Sequence, residues 1–383
     1  MKSNFGFKIL KRCQKSNARL GKIQTGHGII NTPAFVPVGT MGTVKSLPPN
    51  VLKALSVQLF FVNTYHMYLS CGADIVAKFG GLHKFIGWDG SLITDSGGFQ
   101  VFSLNKGKDG RLCKINDSGV TFTSYKDGST HRFTPEISLD IQKQLGADII
   151  LCLDECTYYP ATDKYAKEAM ERTHSWAVRS LNEYCKNQDG KQALYGIVQG
   201  GIFKQLRKES AKFINNLPFS GIAIGGVSVG ESKKEMENVL KWTVPSLDDQ
   251  KPRHLLGVGE IDDIFKLVSY GIDTFDCVMP TRLGRMGQVL VKNQEKGVFD
   301  FKIDISKSVY KADKNPLCKH CSCWVCQNFS RAYIHHLFKN RELLGYYLLT
   351  YHNVFFINNL VNLIRQAIKD DRLDKLEKSW IIK

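Results

Sequence analysis

Short apolar runs in this chain stop at residues able to do chemistry: Asp95 after Ile93-Thr94, Asp154 after Ile149-Ile150-Leu151-Cys152-Leu153, Gln199 after Leu194-Tyr195-Gly196-Ile197-Val198, and Asp276 after Thr274-Phe275. A further run, Ile222-Ala223-Ile224, stops at Gly225-Gly226. Taken singly, an aspartate after a strand is more often a helix N-cap than a catalyst. Repeated along the chain, the pattern instead fits α/β enzymes, which place their chemistry at the tips of buried parallel strands. Paired carboxylates around a sugar carbon would supply a nucleophile and an acid/base, the logic of retaining glycosyl transfer through an oxocarbenium-like state.

A second chemistry is written further on. Of eleven cysteines, Cys318, Cys321, Cys323 and Cys326 crowd into nine residues while the rest scatter. In a reducing compartment such crowding means metal rather than disulfide. Cys321-Ser322-Cys323-Trp324-Val325-Cys326 is tight enough for three thiolates to ligate one tetrahedral zinc. Spacing leaves the fourth ligand open among Cys318, His320, His335, His336 and His352. With three cysteines committed and no open coordination pattern, the ion reads as structural.

The elements that must position these groups follow from the same runs. Ala34 to Val38, Leu59 to Val62 and His254 to Val258 bring the strands to eight. Helical patterns lie between several of them. Ala166, Met170, Thr173, Ala177, Leu181 and Tyr184 recur at helix spacing within 163–185. Ser232-Lys233-Lys234-Glu235 is a capping box, and Ile261 to Tyr270 ends at the helix stop Gly271. Eight strands with intervening helices predict a (β/α)8 TIM barrel over residues 1–287, and no glycine-rich nucleotide fingerprint follows any strand. Residues 107–134 break the alternation. There the turns Lys108-Asp109-Gly110 and Lys126-Asp127-Gly128 flank Val120 to Tyr125, which predicts an inserted antiparallel hairpin. Residues 288–383 are left for a C-terminal zinc-binding and helical subdomain packed on the barrel. Its stretch from Lys302 to Arg341 is strongly basic.

Composition narrows the partners. At 383 residues and 43% hydrophobic the chain can bury one large core. A net charge of +16, from 52 basic against 36 acidic residues, suits a polyanion, although a lysine-rich surface alone would produce the same excess. No run is long enough for a membrane span and Met1 to Lys8 lacks a signal-peptide core, so a cytoplasmic protein is expected. A metal-dependent barrel hydrolase would want histidines at the strand tips, and no His-x-His occurs.

Asp95-Ser96-Gly97-Gly98-Phe99-Gln100, Asp154-Glu155-Cys156-Thr157, Gly196-Ile197-Val198-Gln199-Gly200-Gly201, Gly225-Gly226-Val227-Ser228-Val229-Gly230-Glu231, Phe275-Asp276-Cys277-Val278-Met279-Pro280-Thr281-Arg282 and the C-x-C-x-x-C cluster, in this order, closely resemble the tRNA-guanine transglycosylase (queuine tRNA-ribosyltransferase) family. The resemblance runs from about Phe7 to the final helices. It implies a (β/α)8 barrel with a zinc subdomain, and zinc held by Cys321, Cys323, Cys326 and His352. It implies that Asp276 attacks the anomeric carbon of the wobble nucleotide and expels guanine, while Asp95 acts as general acid/base. Asp154 would accept from a guanine-like base, Gln199 and the Gly226 N–H would address its carbonyl, and Phe99 and Leu256 would wall it. Ser96, Gly97, Gly98 and Gly225 complete the expected base pocket.

By the same resemblance, Gly257, Val258, Gly259, Glu260, Ile261, Asp262 and Asp263 form one RNA loop and Thr281, Arg282, Leu283, Gly284 and Arg285 another, with the two arginines on phosphates. Cys156 and Val229 resemble the bacterial pattern, whose pocket takes 7-aminomethyl-7-deazaguanine (preQ1). Val227 would offer its carbonyl to the aminomethyl group, with Glu231 orienting that peptide. Val227-Ser228 and Met286 depart from the commoner residues. The implied partners are tRNAs for aspartate, asparagine, histidine and tyrosine with G-U-N anticodons, guanine, preQ1, and a second copy of the chain in a homodimer. A non-catalytic paralogue on the same barrel would have lost Asp95, Asp154, Gln199 or Asp276, and all four are present.

Overall fold

A computed structural model describes residues 4–104, 113–187, 190–292 and 300–381. The chain opens with an antiparallel sheet of Gly6–Arg12 (β1), Arg19–Thr25 (β2) and Gly28–Thr32 (β3). Ala34–Pro37 (β4), Leu59–Val62 (β5) and Ser91–Thr94 (β6) follow, all fully buried. The interruption comes next. Cys113–Asn116 (β7), Gly119–Thr123 (β8) and Thr130–Phe133 (β9) form a three-stranded antiparallel sheet, one strand more than the expected hairpin. The extra strand folds back through a turn in which Asn116 Oδ1 accepts from the N–H groups of Ser118 and Gly119. Lys126 and Asp127 do turn between β8 and β9, with Gly128 at φ 73°, whereas Lys108-Asp109-Gly110 lies outside the described residues.

Ile149–Leu151 (β10), Ala193–Val198 (β11), Gly221–Ile224 (β12), Arg253–Leu255 (β13) and Thr274–Cys277 (β14) complete an eight-stranded parallel sheet. Neighbours around it run β4, β5, β6, β10, β11, β12, β13, β14 and back to β4, and every pairing is parallel. Between β4 and β5 the closure is a single parallel bridge, Val38 to Phe61, with Gly39 N–H donating to the Phe61 carbonyl at 2.6 Å. All eight strands expected from the apolar runs are therefore present, as a nearly closed barrel.

Strands buried on both faces leave no alternation, which is why each reads as a continuous apolar run. The helices carry the patterning instead. In Lys233–Thr243 the capping box forms, with Ser232 and Glu235 bonding each other's backbone N–H, and Met236, Val239 and Leu240 face the core. A buried amide stiffens the barrel near the β6 and β10 tips. Gln142, from the helix Pro135–Leu145, accepts from Thr94 Oγ1 and Leu151 N–H, both at 3.0 Å, and donates to the Leu151 carbonyl at 2.9 Å.

The first sheet caps the other end of the barrel. Arg19 grips Asp273 ahead of β14 with Nε to Oδ1 at 3.0 Å and Nη2 to Oδ2 at 2.5 Å. His27 Nδ1 lies 2.7 Å from Asp148 Oδ1, ahead of β10, and Thr25 Oγ1 lies 2.8 Å from Ser91 Oγ on β6. After the barrel, Gln288–Leu290 (β15) pairs with Lys302–Asp304 (β16). The long helix Leu343–Lys369 then packs back on Met279–Arg285 and β4. Among the described residues no helix is long and apolar enough to cross a membrane.

Candidate active site

At the end where the strands finish, one cavity of about 790 Å³ is lined by Asp95, Ser96, Phe99, Asp154, Cys156, Gln199, Gly225, Gly226, Val227, Leu256 and Asp276. These residues, spread over some 180 positions of sequence, converge because each follows or ends a parallel strand, and parallel strands finish on one side. Gly97 and Gly98 do not line it; they turn the chain behind it into the helix Gly98–Leu104. A side chain at Gly98 would place Cβ 2.5 Å from the Asp154 carbonyl, so only glycine lets the two tips approach.

Asp95 is held from the tip of β5. Asn63 Nδ2 donates to its Oδ2 at 2.5 Å, Thr64 N–H to its Oδ1 at 2.7 Å, and Thr64 Oγ1 to its backbone carbonyl at 2.5 Å. Burial nevertheless outweighs these donors and pushes its carboxyl up to about 6. A group poised near neutrality can both give and take a proton. Asp154 accepts from Gln199 Nε2 at 2.7 Å and Ser96 Oγ at 3.2 Å, and burial pushes it up to about 6 as well, with the nearby Asp95 adding to the rise. Asp276 Oδ1 accepts the Gly257 N–H at 3.0 Å and lies 3.1 Å from His254 Nε2.

The glycines beyond β12 serve Gln199. A Cβ at Gly226, whose φ is 64°, would sit 2.6 Å from Gln199 Oε1. Beneath them lies Arg207, fully buried, whose guanidinium donates to the carbonyls of Gly201, Val198, Gly225 and Gly226 at 2.6, 3.1, 2.8 and 2.9 Å. Burial pulls its pKa down to about 10. By fixing the Gly225 and Gly226 carbonyls, Arg207 also fixes which way the intervening N–H groups point.

Phe99 stands 44% exposed beside the cavity, and Leu256 is half-buried at the β13 tip. Cys156 and Val229 both line the cavity. Glu231 accepts from Val229 N–H at 3.0 Å, one peptide beyond the Val227-Ser228 peptide it was expected to orient.

The two expected RNA loops border the mouth unevenly. Gly257, Val258, Gly259, Glu260, Asp263, Arg282 and Leu283 line it, and Met286 adds an exposed apolar residue. Ile261, Thr281 and Gly284 are buried, their side chains or Cα turned into packing. Asp262 is gripped by Lys233 Nζ at 2.6 Å, and the same ammonium reaches Glu260 at 2.7 Å, so one positive charge partly offsets these carboxylates from within. Arg285 is exposed beside Leu343, Leu344 and Tyr347, facing a separate cavity.

Sequence reading did not reach Asn63, Thr64, His254 or Arg207. Asn63 and Thr64 carried the right signal, since they end the run Leu59 to Val62 as Asp95 ends its own. Arg207 shares a helix face with Ser210, Ala211 and Ile214, all buried, and a charge on such a face is itself a flag.

Apart from the barrel cavity, Cys321, Cys323, Cys326 and His352 bring one ligand atom each to within 4.8 Å of one another. His352 Nδ1 lies 3.8, 3.4 and 3.3 Å from the three sulfurs in that order. Its Nε2 lies 2.8 Å from the Leu290 carbonyl, which can only accept, so Nε2 keeps the proton and Nδ1 presents its lone pair to the thiols. The donor set fits a bound metal ion.

A parallel barrel that gathers two raised carboxylates from the adjacent β6 and β10 tips and a third from β14 has the make-up of an enzyme suited to acid/base and carboxylate chemistry at its mouth. The family model for queuine tRNA-ribosyltransferase matches residues 13–383. Proteins named queuine tRNA-ribosyltransferase from Ruminiclostridium cellulolyticum (48% identical, covering 98% of this chain and 97% of the relative) and Acetivibrio thermocellus (48%, covering 96% and 94%) are similar throughout. One from Roseiflexus sp. is 46% identical, covering 98% of both chains. The chain belongs to the queuine tRNA-ribosyltransferase family.

Proposed function

We propose that the chain exchanges the wobble guanine of tRNAs with G-U-N anticodons for preQ1 through a covalent aspartyl-ribosyl intermediate. Its family makes it a pentosyltransferase that acts on tRNA in queuosine biosynthesis. The observation that carries the finer reading is the convergence of Asp95, Asp154 and Asp276 on one cavity large enough for a purine and its ribose.

In this reading the target nucleotide is turned out of its stack into the cavity. An oxygen of Asp276 bonds to C1′ as the C1′–N9 bond breaks, the electron pair leaves on guanine, and Asp95 supplies the proton. Asp95, now a carboxylate, takes a proton from the incoming base, whose nitrogen displaces the ester oxygen. Two inversions preserve the sugar configuration and the ester holds the glycosidic bond, so no ATP is needed. Asp154 accepts from the base edge, where adenine would leave it buried and unpaired. Gln199 and the Gly226 N–H address the carbonyl, Phe99 and Leu256 stack, and Cys156 and Val229 favour preQ1.

Arg282 and Arg285 take phosphates on the loop side. Cys321, Cys323, Cys326 and His352 hold one zinc ion, which staples residues 288–383 as a subdomain on the barrel of residues 1–287. The working enzyme is a cytoplasmic homodimer. Incubation with labelled guanine and bulk tRNA should load label into RNA, and a preQ1 chase should release it. RNA that never takes up label would overturn the reading.

A further inference from the structure

We infer that His254 is a positioning residue that decides which oxygen of Asp276 attacks; this rests on Asp276 being the nucleophile, as proposed above. His254 is fully buried and does not line the cavity, so it acts only through its neighbours. On the paired strands β13 and β14, His254 stands opposite Thr274. Thr274 and Asp276 lie two residues apart and so face the same way. The imidazole spans them, with Nδ1 2.8 Å from Thr274 Oγ1 and Nε2 3.1 Å from Asp276 Oδ1. The Phe61 ring stacks on it with centroids 6.1 Å apart, limiting its rotation.

The Asp276 carboxylate can only accept, so Nε2 carries the proton and Nδ1 accepts from the Thr274 hydroxyl. The Gly257 N–H reaches the same oxygen at 3.0 Å. Two donors therefore converge on Oδ1, and among the described residues none reaches Oδ2. Lone pairs free of hydrogen bonds are the more nucleophilic, so Oδ2 forms the bond to C1′ and Oδ1 becomes the ester carbonyl. When the second base arrives, negative charge returns to the departing carboxylate, and the same two donors are already in place to receive it.

The test compares His254→Phe, His254→Gln and Thr274→Val in the full chain, reading single-turnover formation of the RNA adduct and, separately, tRNA affinity. His254→Phe should slow adduct formation roughly tenfold to a hundredfold with tRNA affinity unchanged. Glutamine, whose amide can donate from nearly the same place, should restore part of the rate. Adduct formation at the wild-type rate in His254→Phe, or glutamine no better than phenylalanine, would overturn the inference. Nitrogen NMR decides even where a variant fails to fold: the wild type should carry its His254 proton on Nε2 and Thr274→Val a mixture, and a wild-type proton on Nδ1 sinks the idea. Asp276→Asn separates the two levels. Adduct that persists there removes the nucleophile reading itself, whereas adduct lost there but undiminished in His254→Phe removes only the role of His254.

Discussion

At the closed end of the barrel, Asp273 is clasped by the Arg19 guanidinium and Asp148 by two histidines; at the open end, Asp95 and Asp154 receive, among the described residues, only amide, hydroxyl and backbone donors. All four carboxylates are buried. Burial raises Asp148 too, but hydrogen bonds from His83, His27 and the Leu92 N–H outweigh it and leave the group below the usual carboxylate range. Without such partners Asp95 and Asp154 end near 6. Aspartates buried at the two ends of one set of strands are thus set apart by their hydrogen-bond partners, Asp148 held low and Asp95 and Asp154 left raised.

The comparison breaks most visibly at Arg19. Replacing it by methionine strips the bidentate guanidinium from buried Asp273, leaving it the Arg253 N–H and that residue's more distant charge, and urea unfolding should show a loss of about 3–5 kcal/mol, with guanine exchange per folded molecule unchanged. A loss of exchange larger than the loss of folded protein would mean the two ends are not separable.

Asp154→Asn should act in the opposite sense. Burial pushes its native carboxyl up to about 6, above an ordinary aspartate, so the folded state holds that proton more tightly than the unfolded chain does. The resulting penalty is absent below about pH 4, grows up to about pH 6 and is then constant. The variant should therefore be more stable than the parent at pH 7.5, by on the order of 1–2 kcal/mol, with the gain shrinking toward pH 4 while guanine exchange collapses. Equal stability at both pH values would remove the electrostatic strain from Asp154.

How much of this was legible depends on which end is considered. The open end could be read because an apolar run that halts at a polar residue is a strong local signal, and four strand tips, at Asp95, Asp154, Gln199 and Asp276, each repeat it. The sheet of β1 to β3 escaped because its inward face carries Arg19, Thr25 and Thr32, buried polar residues that erase the hydrophobic alternation of an ordinary strand, the first two bonding the barrel's closed end. Strand β7 escaped for a related reason, being four residues of mixed polarity. Spacing alone could not select His352 as the fourth metal ligand, since the long C-terminal helix brings it to the thiols from 26 residues beyond Cys326. The resemblance supplied it. Arg207 and His254 were missed because each acts on a functional group from behind, where sequence gives neighbours but not distances.

The covalent hand-off from purine to Asp276 is the claim on which the rest depends, and denaturing electrophoresis of enzyme mixed with tRNA in the absence of a second base tests it most directly. The parent protein should run with a covalently attached RNA and Asp276→Asn should show none while still retarding tRNA on a native gel. An adduct of undiminished intensity in Asp276→Asn would contradict the account.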